Sequence, residues 1–115
     1  MRRTLALSAA VALLAGQAAV AKDLARIQRG DGLFQYWCAA CHGSGPGHPG
    51  TDALRKAYNG NPPALLEQRT DLTAEAVARF LRTGTSIMPF FRKTELSDID
   101  VADIGAYLSR NTPGQ

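Results

Sequence analysis

Cysteine, histidine and methionine are scarce in this sequence of 115 residues, which contains two of each. It shows no nucleophile with a neighbouring acid–base pair, which argues against an enzyme that works with its side chains alone. It has no stripe of interleaved basic and aromatic residues, so a nucleic-acid partner is not indicated. It also has no internal repeat and no alternating strand pattern, and its length allows a single domain.

The N-terminus has the pattern of a secretory signal peptide. Arg2 and Arg3 form a positive start, residues 5–15 are an apolar run, and Ala19-Val20-Ala21 is a small-residue cleavage site. The alternative is an uncleaved membrane anchor, but the apolar run is short for a span of about 20 residues. The pattern therefore predicts export across the inner membrane into the periplasm.

Cleavage would divide the chain into a signal peptide, residues 1–21, and a mature domain, residues 22–115, that begins at Lys22. Removing two arginines lowers the formal net charge from +3 to +1. The basic character of the whole chain is thus no argument for a nucleic-acid partner. We expect no membrane insertion after cleavage.

Helical periodicity and helix caps in the mature part predict an all-α fold. The last expected helix has the clearest start, because Ser97 and Asp100 have capping-box spacing. Thr73 is a suitable N-cap and Gly84 a suitable end for the helix before it. The expected helices lie at about residues 24–39, 52–58, 74–83 and 98–110.

Cys38-Ala39-Ala40-Cys41-His42 has the spacing of a c-type haem attachment motif. Two thiols at this separation suit thioether bonds to the two vinyl groups of a haem, and the imidazole that follows suits its iron. A thioredoxin-like redox pair would need a βαβ context, which is absent. A zinc site would need four ligands, so His48 would have to join the three residues of the motif.

Met88 is expected to supply the second axial ligand, because no other methionine follows the signal peptide. It lies between Gly84 and Pro89 in a stiff, irregular loop, 46 residues after His42. That separation is long enough to reach the opposite face of a haem. Methionine in an apolar setting is more often core filler. His48 is the alternative ligand, but it lies only six residues from His42.

Residues 22–115 as a whole resemble class I cytochromes c. Gly30, Leu33 and Phe34 before the motif are similar to the first helix of that family, residues 106–108 to its last helix, and Met88 to its distal loop. The resemblance implies N- and C-terminal helices that cross around one covalently bound haem c. It also implies a crossing where Gly30 and Phe34 meet Ile104 and Tyr107.

A narrower resemblance covers residues 71–73, Arg82, Gly84 and residues 88–91. These are similar to cytochrome subunits that accept electrons from flavin dehydrogenases of the 4-cresol dehydrogenase type. The resemblance implies an electron carrier rather than an enzyme, with a flavoprotein dehydrogenase as donor and a downstream cytochrome or oxidase as acceptor. A free shuttle and a fixed subunit of an oxidoreductase complex both agree with it. The rival function is a haem enzyme or gas sensor in which Met88 leaves the iron.

Five residues are candidates for supporting roles around the haem, two of them as alternatives for one role. The carbonyl of Pro49, or else that of Pro46, is placed to hold the Nδ1–H of the His42 imidazole. Arg82 is placed to meet a haem propionate, or else it is a solvated cation at a helix end. Trp37 and Phe90 either wall the haem or belong to the ordinary core.

Overall fold

The computed structural model describes the backbone of residues 2–114 and the side chains of residues 16–114. Met1 and the side chains of the first part of the expected signal peptide lie outside the described residues. The described part is helical and has no strand, so the predicted all-α class is confirmed. Its elements are α1 (Arg2–Trp37), α2 (Ala39–His42), α3 (Pro49–Tyr58), a 3-10 turn (Leu66–Gln68), α4 (Ala74–Thr83) and α5 (Asp98–Ser109).

Helix α1 is longer than expected, because it begins at Arg2 instead of near residue 24. The leader is rich in alanine and leucine, the strongest helix formers, and contains no proline. Residues 16–24 are all exposed, so this stretch of α1 adds nothing to the core. Within residues 2–114, no helix has both the length and the apolarity that crossing a membrane requires.

The C-terminal half of α1 crosses α5 in close contact at Gly30. A Cβ atom on Gly30 would overlap the carbonyl oxygen of Asp103 and would lie 2.8 Å from the Cβ of Tyr107. The rings of Phe34 and Tyr107 have centroids 5.7 Å apart beside this crossing. The expected meeting of the first and last helices is therefore confirmed, and only a glycine fits where the two backbones meet.

A buried carboxylate strengthens the crossing. Asp103 of α5 is 2% exposed, and Arg26 and Arg29 of α1 both donate to it through Nε, at 3.2 and 2.8 Å. Two guanidinium groups compensate for taking this charge out of water. The apolar core beside it is formed by Phe34, Val77, Leu81, Leu96, Val101, Ile104, Tyr107 and Leu108.

The predicted caps of the last two helices are confirmed. The hydroxyl of Thr73 accepts a hydrogen bond from the Ala76 N–H, and Gly84 follows α4 with a positive φ of 67°. Ser97 and Asp100 form the reciprocal capping box at the start of α5. These caps settle where α4 stops, and so where the loop that carries Met88 begins.

Candidate functional site

The attachment motif spans the junction of α1 and α2. Cys38 is the N-cap of α2, and the amides of Cys41 and His42 both donate to the carbonyl of Cys38, at 3.0 and 2.8 Å. Residues three apart on a helical turn lie on the same side of it. The single turn thus presents both thiols to one side, the arrangement that two thioether bonds to one planar group require.

The two thiols differ in environment and are not joined to each other. Cys38 is partly buried against the core, while Cys41 is exposed. Burial, and secondarily the neighbouring Cys41 thiol, raises the pKa of the Cys38 thiol to about 11. A thioredoxin-like pair needs a thiolate of lowered pKa, so this environment does not suit disulfide exchange. The described residues also contain no group of three or more His, Cys, Asp or Glu side chains arranged for a metal ion.

The imidazole of His42 is held against the start of α3. A Cβ atom on Gly50 would lie 2.8 Å from its Cε1 and 3.0 Å from its Nδ1. Nδ1 is buried and has no hydrogen-bond partner in the structure. Burial lowers the pKa of His42, which favours the neutral ring that binds metals. With its Nδ1 edge covered by backbone, the ring has Nε2 as the nitrogen for an iron ligand.

The sequence predicts the carbonyl of Pro49, or else that of Pro46, as the acceptor for that Nδ1, and the structure shows a related but different contact. Pro49 is the first residue of α3, directly before Gly50, but its carbonyl makes no hydrogen bond to Nδ1. The role of Pro49 therefore stays a prediction. Gly50 was not foreseen, because a glycine that lies eight residues from a histidine carries no local signal of contact.

His48 lies against the attachment turn. Its Nδ1–H donates to the carbonyl of Ala40 at 3.1 Å. Thr51, which is fully buried, donates from its hydroxyl to the carbonyl of Gly43 at 2.9 Å. These two bonds fold residues 43–48 back onto α2 and brace the turn that holds the motif.

Met88 lies in a closed loop directly after α4. The amide of Met88 donates to the carbonyl of Thr85 at 2.9 Å, and the amide of Thr85 donates to the carbonyl of Met88 at 3.1 Å. Gly84 allows this closure, because a Cβ atom there would lie 2.7 Å from the Met88 carbonyl oxygen. The side chain of Met88 packs against the apolar core, as Cys38 does. The backbone of Met88 is thus held at both its N–H and its carbonyl.

Phe91 joins the distal loop, residues 84–91, to the attachment side. Its amide donates to the carbonyl of Leu81 at 2.7 Å. Its ring meets Trp37 edge to face, with centroids 5.9 Å apart. Trp37 directly precedes Cys38, so one aromatic contact connects the segment that carries the thiols to the segment that carries Met88.

Arg82 is engaged within the protein. Its Nη1 donates to the carbonyl of Phe91 at 3.0 Å, and its Nη2 donates to Asp98 at 2.8 Å. These bonds occupy two of the guanidinium nitrogens. The predicted contact of Arg82 with a haem propionate stays a prediction. Phe91 and Asp98 were not foreseen as its partners.

Taken together, these residues fit a covalently bound haem. The donor set comprises two unlinked thiols on one side of a turn, an imidazole beside them whose pKa is lowered by burial, and a thioether in a stiff loop. Trp37 and Phe90, which flank the two segments, are 37% and 59% exposed. Large aromatic side chains left at the surface beside these donors suit an apolar macrocycle.

Comparison with known proteins agrees with this donor set. The family model described as "Cytochrome C oxidase, cbb3-type, subunit III" matches residues 25–108. The matched residues contain the attachment motif, the distal loop and nearly all of α5, and they exclude the expected signal peptide. No curated protein and no solved structure matches the chain.

Proposed function

The chain belongs to the cytochrome c family described as subunit III of cbb3-type cytochrome c oxidase, and from that premise we propose that it is a periplasmic one-electron carrier with His42 and Met88 as axial ligands. Membership establishes the class I cytochrome c fold, a covalently bound haem c and haem-based electron transfer. The family is one of electron carriers and not of enzymes. The ligands, the location and the partners are the proposal.

The attachment side is assigned residue by residue. The thiols of Cys38 and Cys41 form the thioether bonds, and the neutral imidazole of His42 is the proximal ligand. When bound, the haem supplies an iron that gains or loses one electron. His48 and Thr51 brace the turn that carries these groups, which limits the reorganisation that accompanies electron transfer.

The closed distal loop is the observation that carries the assignment of Met88. A thioether on a mobile surface loop would make a poor permanent ligand, whereas this loop is closed by two backbone hydrogen bonds. Methionine opposite histidine raises the reduction potential, because thioether sulfur favours ferrous iron. A carrier with both axial positions filled exchanges electrons without offering an open site to oxygen or other small ligands.

Export and partners rest on the sequence patterns. We assign residues 1–21 as a signal peptide, and the exposure of residues 16–21 supports this, because cleavage before Lys22 would remove none of these described residues from the core. The donor in this proposal is a flavoprotein dehydrogenase of the 4-cresol dehydrogenase type, on the resemblance of residues 71–73, Arg82, Gly84 and residues 88–91. The acceptor is a downstream cytochrome or oxidase of the respiratory chain.

The experiment compares Met88→Ala with Ile87→Ala, a matched control in the same loop whose side chain is 79% exposed. We expect Met88→Ala to keep its covalent haem and to lose the long-wavelength sulfur-to-iron charge-transfer band of the ferric protein. Its potential should fall by at least roughly 59 mV, a tenfold change in a one-electron equilibrium. The reduced variant should bind carbon monoxide quickly, and the control should resemble wild type.

Three further outcomes test the haem attachment, the Met88 ligand and the rival function. Cys38→Ala and Cys41→Ala should each lose most of the holoprotein, because one thioether bond is missing. If Met88→Ala keeps the wild-type spectrum and potential, Met88 is not the ligand. If reduced wild type itself binds carbon monoxide as readily as Met88→Ala does, the haem enzyme or gas sensor becomes the better assignment.

A further inference from the structure

The C-terminal end of the distal loop is held by both backbone groups of Phe91. Its N–H donates to the carbonyl of Leu81 at 2.7 Å, and its carbonyl accepts from Nη1 of Arg82 at 3.0 Å. Both partners lie in the last turn of α4. The loop therefore returns to the helix from which it started, and Arg82 closes it.

Arg82 also ties this junction to α5. Its Nη2 donates at 2.8 Å to Asp98, the first residue of α5, and Lys93 donates to the other carboxylate oxygen of Asp98 at 2.7 Å. The Arg82 side chain is only 24% exposed. A planar guanidinium with donors in fixed directions thus joins α4, the end of the loop and α5 at one point.

We propose that Arg82 is a positioning residue for the Met88 thioether: its bonds to Phe91 and Asp98 hold the distal loop in the geometry that keeps the sulfur on the iron. This inference rests on the proposed function, in which Met88 is the axial ligand. Arg82 itself touches neither the iron nor the sulfur in this role.

Few residues separate Met88 from the restraints at the two ends of the distal loop. At its start the loop is fixed by Gly84 and by the hydrogen bonds of the Thr85 and Met88 amides. Only two residues separate Met88 from Phe91, where the loop is fixed again. Loosening Phe91 would let the Met88 backbone sample more positions, and most of them would take the sulfur away from its binding position. Hydrogen bonds from a charged donor are stronger than neutral ones, which makes Arg82 the strongest single restraint at this end.

The test measures how easily an added ligand displaces the sulfur. Ferric holoprotein is titrated with imidazole, which competes for the same axial position, and the charge-transfer band and potential are recorded alongside. Arg82→Lys keeps the positive charge but loses the planar fork. Asp98→Asn weakens the bonds from Arg82 and Lys93 to α5 and leaves the Arg82 bond to Phe91 in place. Arg79→Lys is the matched control on α4, because the Arg79 guanidinium lies over the Phe80 ring and is not bonded to Phe91.

We expect Arg82→Lys to bind imidazole about tenfold more tightly than wild type, which corresponds to about 1.4 kcal/mol, with a weaker charge-transfer band. Asp98→Asn should bind imidazole about threefold more tightly than wild type, and Arg79→Lys should bind it as wild type does. Urea unfolding of each holoprotein checks that the change is not a general loss of stability. If Arg82→Lys does not accumulate as holoprotein, Asp98→Asn decides the question.

Three results distinguish failure of the Arg82 positioning role from failure of the proposed Met88 ligand. If Arg82→Lys and Asp98→Asn bind imidazole as Arg79→Lys does, the positioning role is wrong. If Arg82→Lys shifts the reduction potential but leaves imidazole binding unchanged, Arg82 acts through a contact with a haem propionate and not by holding the loop. The proposal is then overturned. If wild type lacks the charge-transfer band and binds imidazole as tightly as Met88→Ala, the proposed ligand itself has failed.

Discussion

Replacing Gly30 with alanine tests whether the crossing of α1 and α5 holds the site together. The added Cβ would overlap the carbonyl oxygen of Asp103 and lie 2.7 Å from its carbonyl carbon. Backbone atoms have no rotamer to change, so the two helices must separate by about 1 Å to restore ordinary contact distances. Alanine at this position therefore acts on the whole helix pair.

The size of the effect follows from three contributions. Alanine gains about 1 kcal/mol over glycine in helix propensity, and overpacking costs about 1–3 kcal/mol. Separating the helices by about 1 Å loses about a third of the contact energy of Phe34, Ile104 and Tyr107. Each of these side chains contributes about 2 kcal/mol, so the loss adds about 2 kcal/mol. The variant should be less stable than wild type by about 2–4 kcal/mol.

Urea unfolding of the holoprotein, followed by far-ultraviolet circular dichroism, measures this difference. With a slope of about 1–2 kcal/mol per molar urea, the midpoint should fall by roughly 2 M. Gly32→Ala is the matched control, because a Cβ there meets nothing within 4 Å. It should leave the midpoint unchanged or raise it slightly. Equal midpoints for Gly30→Ala and Gly32→Ala would refute the close crossing.

Two further predictions concern processing and pH. Mass spectrometry of the exported protein should find an N-terminus at Lys22, within a residue or two, and an intact Met1 would contradict cleavage. Hydrogen bonds from the Ser97 hydroxyl, and secondarily from the Ser97 backbone N–H, lower the pKa of Asp100. The Asp100 carboxylate therefore stabilises the fold at pH values above its unfolded pKa of about 3.9. This stability is lost as pH falls through the lower pKa of the folded state. Asp100→Asn should therefore be less stable than wild type by roughly 0.5 kcal/mol at neutral pH, because solvent screens the carboxylate. The gap in urea midpoints should narrow as pH falls below about 3.9, and a gap that stays constant through that range would refute this.

The helix ends could be predicted because their signals are local. Ser97 and Asp100 are three residues apart, and the box they form depends on nothing outside that turn. The same holds for Thr73 and for Gly84, whose positive φ ends α4. The start of α1 at Arg2 was not predicted. The leader favours a helix by composition alone, and this helix continues into the domain without a break.

The attachment residues could be predicted from spacing, whereas their supports could not. Cys38, Cys41 and His42 are contiguous in one motif, and the chemistry of a covalent haem dictates their order. The contact of Gly50 with the His42 ring arises only after residues 43–48 fold back onto α2. Nothing in the sequence between them sets that path, since several loop conformations of the same glycine-rich segment satisfy its turns.

Helix α5 supplies no proposed ligand, yet both sides of the site take their position from it. The attachment segment is placed by Gly30 against Asp103, about three helical turns before the motif ends at His42. The distal loop is placed by Arg82 through Asp98. A shift of α5 would therefore move His42 and Met88 by different routes and alter the gap between them. Contacts of this kind join residues far apart in the chain, which is why the sequence could predict the donor set and not the frame that spaces it.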